Sequence, residues 1–146
     1  MLLIYSISYT ILITCILAPM SVCDIKEHKI KNVWLLGLIL VKSCYILCSQ
    51  SVSMFCDALF GFLIISLIIL PFCLTSLNVG SGDYKLIVVS GYCAGCYSLP
   101  FVMIVSLIMI IAFVAVKRRK GMTIPLAPFV SIGVFLSCVM DCIKNI

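Results

Sequence analysis

Residues 86–116 read LIVVSGYCAGCYSLPFVMIVSLIMIIAFVAV, 31 positions without an Asp, Glu, Lys, Arg or His. A helix rises ~1.5 Å per residue, so this run would cover ~46 Å against ~30 Å of hydrocarbon. It is too long for one ordinary span and short for two. Gly91, Gly95 and the turn-like Tyr97-Ser98-Leu99-Pro100 suggest two short helices joined by a tight turn. Charge decides between the readings. With two spans, Lys117-Arg118-Arg119-Lys120 falls on the same face as Lys26, Lys29, Lys31 and Lys85. With one, it falls on the opposite face. Basic loops prefer the cytoplasmic side, so two spans are expected.

The rest of the chain follows outward. Residues 1–23 and 58–78 are also free of charge. The whole is 64% hydrophobic and 10% charged, with a mean hydropathy of +1.34. A soluble domain is about a quarter charged, and no core of this size could hide the excess. Residues 1–23 lack a basic n-region and a small-x-small cleavage site, and read as a retained first span. Spans are expected at about 2–22, 33–48, 58–77, two within 86–116, and 124–140, with Pro125 in the first turn of the last. The expectation is an all-α, polytopic membrane protein of about six helices, one domain over residues 1–146, with both termini outside. Eight of the ten basic residues then lie inside. The net charge of +5 reads as this topology signal, not as a nucleic-acid footprint. Lys42, inside a span, is expected to snorkel outward or to face the bundle interior.

The ten cysteines are spread over nearly every apolar segment. Only Cys93 and Cys96 make a C-x-x-C pair, without a second pair or a histidine nearby, and a structural zinc site usually needs four ligands. No metal and no cofactor are expected.

Topology sorts the five acidic residues. Asp24 closes the first span on the inner side. Two spans later Asp83 opens the fourth on the same side. Asp57 and Asp141 fall outside, and Glu27 lies in an exposed basic loop with His28. Asp24 and Asp83 are therefore the two aspartates that can meet at one membrane face. Gly80 and Gly82 precede Asp83 in Gly80-Ser81-Gly82-Asp83. Glycine permits φ > 0 and lets another backbone come close, so an extended peptide could approach that carboxylate.

Gly80-Ser81-Gly82-Asp83-Tyr84-Lys85-Leu86 resembles the GxGD-x-K-L signature of type IV prepilin peptidases. Asp24-Ile25-Lys26…Ile30-Lys31-Asn32 is similar to their first aspartate motif, D-x-(K/R)…I-P-N. Ile124-Pro125-Leu126-Ala127-Pro128…Gly133 is similar to the P-x-G-P…G segment that opens their last span. The resemblance covers essentially the whole chain, in order. Lys31 stands where the family has proline, and Ala127 where it has glycine. The first span runs straight into Asp24, without the loop of paired C-x-x-C motifs that larger members associate with N-methylation. The chain thus resembles the short peptidase-only form of tight-adherence (Flp) pili and archaeal preflagellin peptidases. The presenilin-like GxGD proteases match less well, for want of a Y-D and a P-A-L motif.

The resemblance implies an aspartic endopeptidase of the cytoplasmic membrane, its active site facing the cytoplasm. Asp24 and Asp83 would be catalytic, with Gly80, Gly82, Lys85, Lys26, Asn32, Pro125 and Pro128 shaping the site or holding substrate. The partners would be the lipid bilayer and a prepilin-like precursor, a polar or basic leader followed by an apolar helix. Two other classes fit the composition. A small ion-coupled transporter would use Asp24, Asp83 and Lys42 as ion-path residues. A non-catalytic assembly subunit of a pilus or secretion system would tolerate loss of both aspartates.

Overall fold

The first helix, α1 (Leu2–Glu27), buries Ser6, Tyr9, Ile13, Leu17, Met20 and Asp24. The spacing of three and four residues is one face of an α-helix. Around that face the chain, a computed structural model, describes residues 2–27, 30–74, 81–117 and 125–144. The helices are α1, α2 (Asn32–Ser49), α3 (Val52–Leu74), α4 (Ser81–Lys117) and α5 (Ala127–Lys144). His28, Lys29, Gly80 and the basic residues 118–120 lie outside the described part.

By length and composition four of these helices can cross a membrane: Ile4–Glu27, Asn32–Ser49, Val52–Pro71 and Gly82–Ala115. Ala127–Ile143 is a shorter apolar fifth. The protein is an all-α, polytopic membrane protein. Apolar side chains such as Leu67, Val33 and Ile4 cover the outer surface, as lipid requires.

Within α4 one residue leaves the helix, Gly95, at φ 78° and ψ 168°. That region of backbone space is essentially open to glycine alone. The contacts give the direction of each arm. In the first arm Tyr84 meets Ser66, and Gly91 packs on Gly61 and Ile65 of α3. At the break, the Tyr97 N–H donates to Asp57 Oδ1 at 3.2 Å. In the second arm Val102 and Ser106 lie against Gly133, and the Phe113 ring stands 5.3 Å from that of Phe129. Phe129 is two residues beyond Ala127, which touches Asp24. The second arm therefore returns toward the Asp24 end. The turn sits at Gly95, and the stretch 97–100 expected to form it is helical. Pro100 is the fifth residue of the second arm, inside the helix.

Three further boundaries differ from expectation. α3 starts at Val52, ahead of the span expected from residue 58, so Asp57 stands on the helix and not before it. Gln50 reverses the chain in the left-handed region at φ 48°, and helix resumes two residues later at Val52. α1 runs past Asp24 to Glu27. α5 starts at Ala127, so Pro125 precedes the helix and Pro128 occupies its first turn. The Leu126 carbonyl accepts the first bonds, from the N–H groups of Phe129 and Val130, each at 3.2 Å.

Lipid removes most of the hydrophobic drive between helices, so close packing through small residues matters more. A β-carbon at Gly61 would lie 2.5 Å from the Gly91 carbonyl oxygen, and one at Gly133 would lie 2.9 Å from both Ser106 Oγ and the Val102 oxygen. These glycines let α3 and α5 press against the two arms of α4. Between them and α1 lies a core that includes Ile13, Met20, Leu38, Leu86, Val102 and Val134.

Candidate active site

Two packing stripes end at the same place. On α1 the stripe of Ile13, Leu17 and Met20 continues one turn further to Asp24. On α4 the stripe of Cys93, Val89 and Leu86 continues one turn back to Asp83. Met20 and Leu86 are both in the core cluster, so each carboxylate extends from a buried residue of its own helix at one end of the bundle. Asp24 is 4% exposed and Asp83 is half-buried. The two carboxylates are within electrostatic reach of each other.

Asp24 is held by a group that side-chain motifs do not reveal. The Ala127 backbone N–H donates to Asp24 Oδ2 at 2.9 Å. Ala127 opens α5, and the first N–H groups of a helix have no partner within it. A carboxylate at a helix N-terminus also meets the positive end of the dipole. One turn from each, Ser21 and Ser131 are hydrogen-bonded at 2.9 Å, which fixes α1 and α5 in register. The signal in the sequence was the Pro125–Pro128 spacing, which marks a helix start.

The other expected residues divide. Lys85 Nζ donates to Asn32 Oδ1 at 3.3 Å, tying the start of α2 to the start of α4 beside Asp83. Gly82 faces Ile30: a β-carbon there would lie 3.6 Å from the Ile30 β-carbon and 3.8 Å from its nitrogen. The two aspartate motifs thus meet, at ordinary van der Waals distance. Gly82 is helical and Gly95 is the described glycine with positive φ, so the expected φ > 0 is not used at Gly82. Pro125 and Pro128 are half-buried at the start of α5. Lys26 is exposed on the last turn of α1 and is not brought to the carboxylates by any described contact. Gly80 lies outside the described residues.

Lys42 takes the interior option. It is 9% exposed, and its ammonium lies 5.2 Å from the ring centre of Tyr9 and 5.8 Å from that of Tyr45. Cys93 is buried, its carbonyl accepting from the Tyr9 hydroxyl at 3.2 Å, while Cys96 is half-buried.

Chemically, two carboxylates that reach one water can share one proton between them, because like charges brought together do not both ionise easily. A model of the type IV leader peptidase family matches residues 11–115. Neither curated proteins nor solved structures gave a match. The family match spans most of the 146 residues, from α1 through both aspartates and the Gly95 turn, and the chain belongs to the type IV leader peptidase family.

Proposed function

We propose that this leader peptidase is a membrane-embedded aspartic endopeptidase with Asp24 and Asp83 as its catalytic pair. It removes the leader from prepilin-like precursors at the cytoplasmic face of the cell membrane. The observation that carries the reading is the convergence of the two carboxylates at one end of the bundle, with Asp24 fixed by the Ala127 N–H.

In the proposed reaction a water lies between the carboxylates. The ionised one takes a proton from the water as its oxygen adds to the scissile carbonyl carbon. The protonated one donates a hydrogen bond to the carbonyl oxygen, which gathers charge. The tetrahedral adduct then collapses, the C–N bond breaks, and a carboxyl proton passes to the leaving nitrogen. No further cofactor enters the balance.

The substrate reading follows from depth. The pair stands at the end of helices that cross the apolar layer, so a precursor helix can lie beside the bundle in lipid. Its leader junction, unwound, reaches the carboxylates from the aqueous side. Lys26 and Lys85 lie at that same end, and Gly80, Gly82, Asn32, Pro125 and Pro128 shape the approach. α1 runs unbroken through Asp24 to Glu27, with no loop of C-x-x-C motifs between that span and the aspartate, which supports a peptidase without an N-methyltransferase function.

The test is the chain reconstituted in vesicles with a synthetic precursor of polar leader and apolar helix, its products weighed by mass spectrometry. One cut at the leader junction is expected, unchanged by metal chelators, since the carboxylates activate the water themselves. Proton-coupled ion flux without cleavage would support the transporter reading instead.

A further inference from the structure

We propose that the groove between α1 and α5 seats the apolar helix of the precursor and sets which peptide bond reaches Asp24. Thr14, Leu17, Ala18, Ser131, Ile132 and Phe135 line it, around a volume of about 180 Å³. The inference rests on the peptidase reading and adds the surface that holds its substrate.

Position is the first ground. Thr14, Ala18 and Ser21 follow each other at spacings of four and three, so they form one row along α1. That row runs beside the buried row that ends in Asp24. Ser21 closes the seam by its hydrogen bond to Ser131 at 2.9 Å, and beyond that bridge the Ala127 N–H holds Asp24. Groove, bridge and carboxylate thus follow in order toward one end of the bundle. Ala18 stands six residues before Asp24 on the same helix, ~9 Å along its axis. The apolar groove between α1 and α2 does not lead there. The residue of α1 nearest Asp24 in that groove is Leu12, ~18 Å short of Asp24 along the axis.

The lining suits a helix better than a lipid chain. Lipid tails are as apolar as leucine, and helices associate in a bilayer where small residues let backbones come close. An acyl chain has no backbone to bring close. Thr14, Ala18 and Ser131 are small. The two hydroxyls are committed to their own helices: Thr14 donates to the Thr10 carbonyl at 2.7 Å and Ser131 to that of Pro128 at 2.9 Å. The floor therefore asks for no polar partner, and Ala18 is exposed to whatever fills the groove. Ile132 and Phe135, 37% and 38% exposed, form a wall against which the ridges of a helix can pack.

The occupant follows from where the groove ends. A chain that leaves it toward the Asp24 end arrives at two carboxylates, and in the peptidase reading they act on a peptide. A helix seated against Ala18 must unwind before it reaches Asp24, because a helical peptide bond is tied into its own hydrogen bonds. The ~9 Å between them takes about three extended residues at ~3.3 Å each. The bond cut therefore lies about three residues before the first seated residue of the precursor helix.

The experiment uses the full chain reconstituted in vesicles with a synthetic precursor of polar leader and apolar helix. A photoreactive benzoyl-phenylalanine replaces Phe135 on the groove wall or, as the control, Phe60, which is exposed on α3. Both positions already hold an exposed phenylalanine, so insertion and packing stay comparable. Irradiation should join position 135 to the precursor's apolar helix and leave position 60 unjoined to it, with the adducts mapped by mass spectrometry. Ala18→Phe should raise KM for the precursor about tenfold, the effect of overpacking one seam. Its kcat should change little, since the contact is the same in ground and transition states. Leu36→Phe, exposed on α2, should change neither. Adducts from position 135 to lipid alone, or to a second copy of the chain alone, would overturn the proposal. So would equal joining from both positions, or an unchanged KM in a well-inserted Ala18→Phe variant. Joining from position 135 without cleavage would count against the peptidase reading alone, and cleavage without joining would count against the groove alone.

Discussion

At the scale of single residues, the chain places its chemistry where side chains run out and backbone takes over. Ala127 contributes no functional group, yet its N–H is the donor that holds Asp24. Ala127→Gly should therefore keep cleavage, since glycine retains the amide. Ala127→Pro keeps a helix start, where proline is accepted, but removes the donor. Loss of a hydrogen bond to a charged group is worth about 1.5–3 kcal/mol, so cleavage should fall by a factor of roughly ten to a hundred. Initial rates on one precursor, at matched protein levels, check both. Gly95 makes a second residue-scale case. A β-carbon there would sit in a conformation open to glycine alone, and would collide with the Asp57 carboxylate. Gly95→Ala should destabilise the fold by at least ~1–3 kcal/mol, seen as a lowered unfolding midpoint in detergent.

At the scale of elements, α4 shows what the sequence carried and what it did not. Its 31 uncharged residues and the position of the basic cluster were enough to require a reversal. They did not locate it, because Gly91, Gly95 and the 97–100 stretch carry similar local turn signals. The choice is made by α3, whose Asp57 accepts the Tyr97 N–H and so starts the second arm after Gly95. That is a contact between residues forty apart, which no local pattern contains. The same holds for Gly91, a turn candidate in sequence that is in fact a packing glycine against Gly61. Gly61→Ala should force α3 and α4 apart and cost about 1–3 kcal/mol, as overpacking does, measured as a fall in the unfolding midpoint. The aspartates were legible because charge is scarce in this chain and topology alone sorts five acidic residues. The Asp24–Ala127 bond and the α1–α5 groove were not, because one is made by backbone and the other draws on helices at opposite ends of the chain.

At the scale of the whole molecule, the account stands on topology and on one pair of residues. The basic residues predict that both termini lie outside and that residues 117–120 face the cytoplasm. In a cysteine-free background, Ser51→Cys and Gly121→Cys should be labelled by an impermeant reagent from opposite sides of the membrane. Labelling from one side would contradict the reversal of α4 at Gly95 and the inward position of residues 117–120. The central claim is that these two carboxylates, 59 positions apart in the numbering, act as one unit. Asparagine keeps the size of aspartate and cannot exchange its proton, so it separates chemistry from packing. Groups that act as a unit are not additive, and losing either should be nearly as damaging as losing both. The direct measurement is cleavage of a co-expressed precursor, read as a mobility shift, by Asp24→Asn, Asp83→Asn and the double variant, each at equal membrane level. The account predicts no processed product from any of the three. Full processing by a well-expressed Asp83→Asn variant would contradict it.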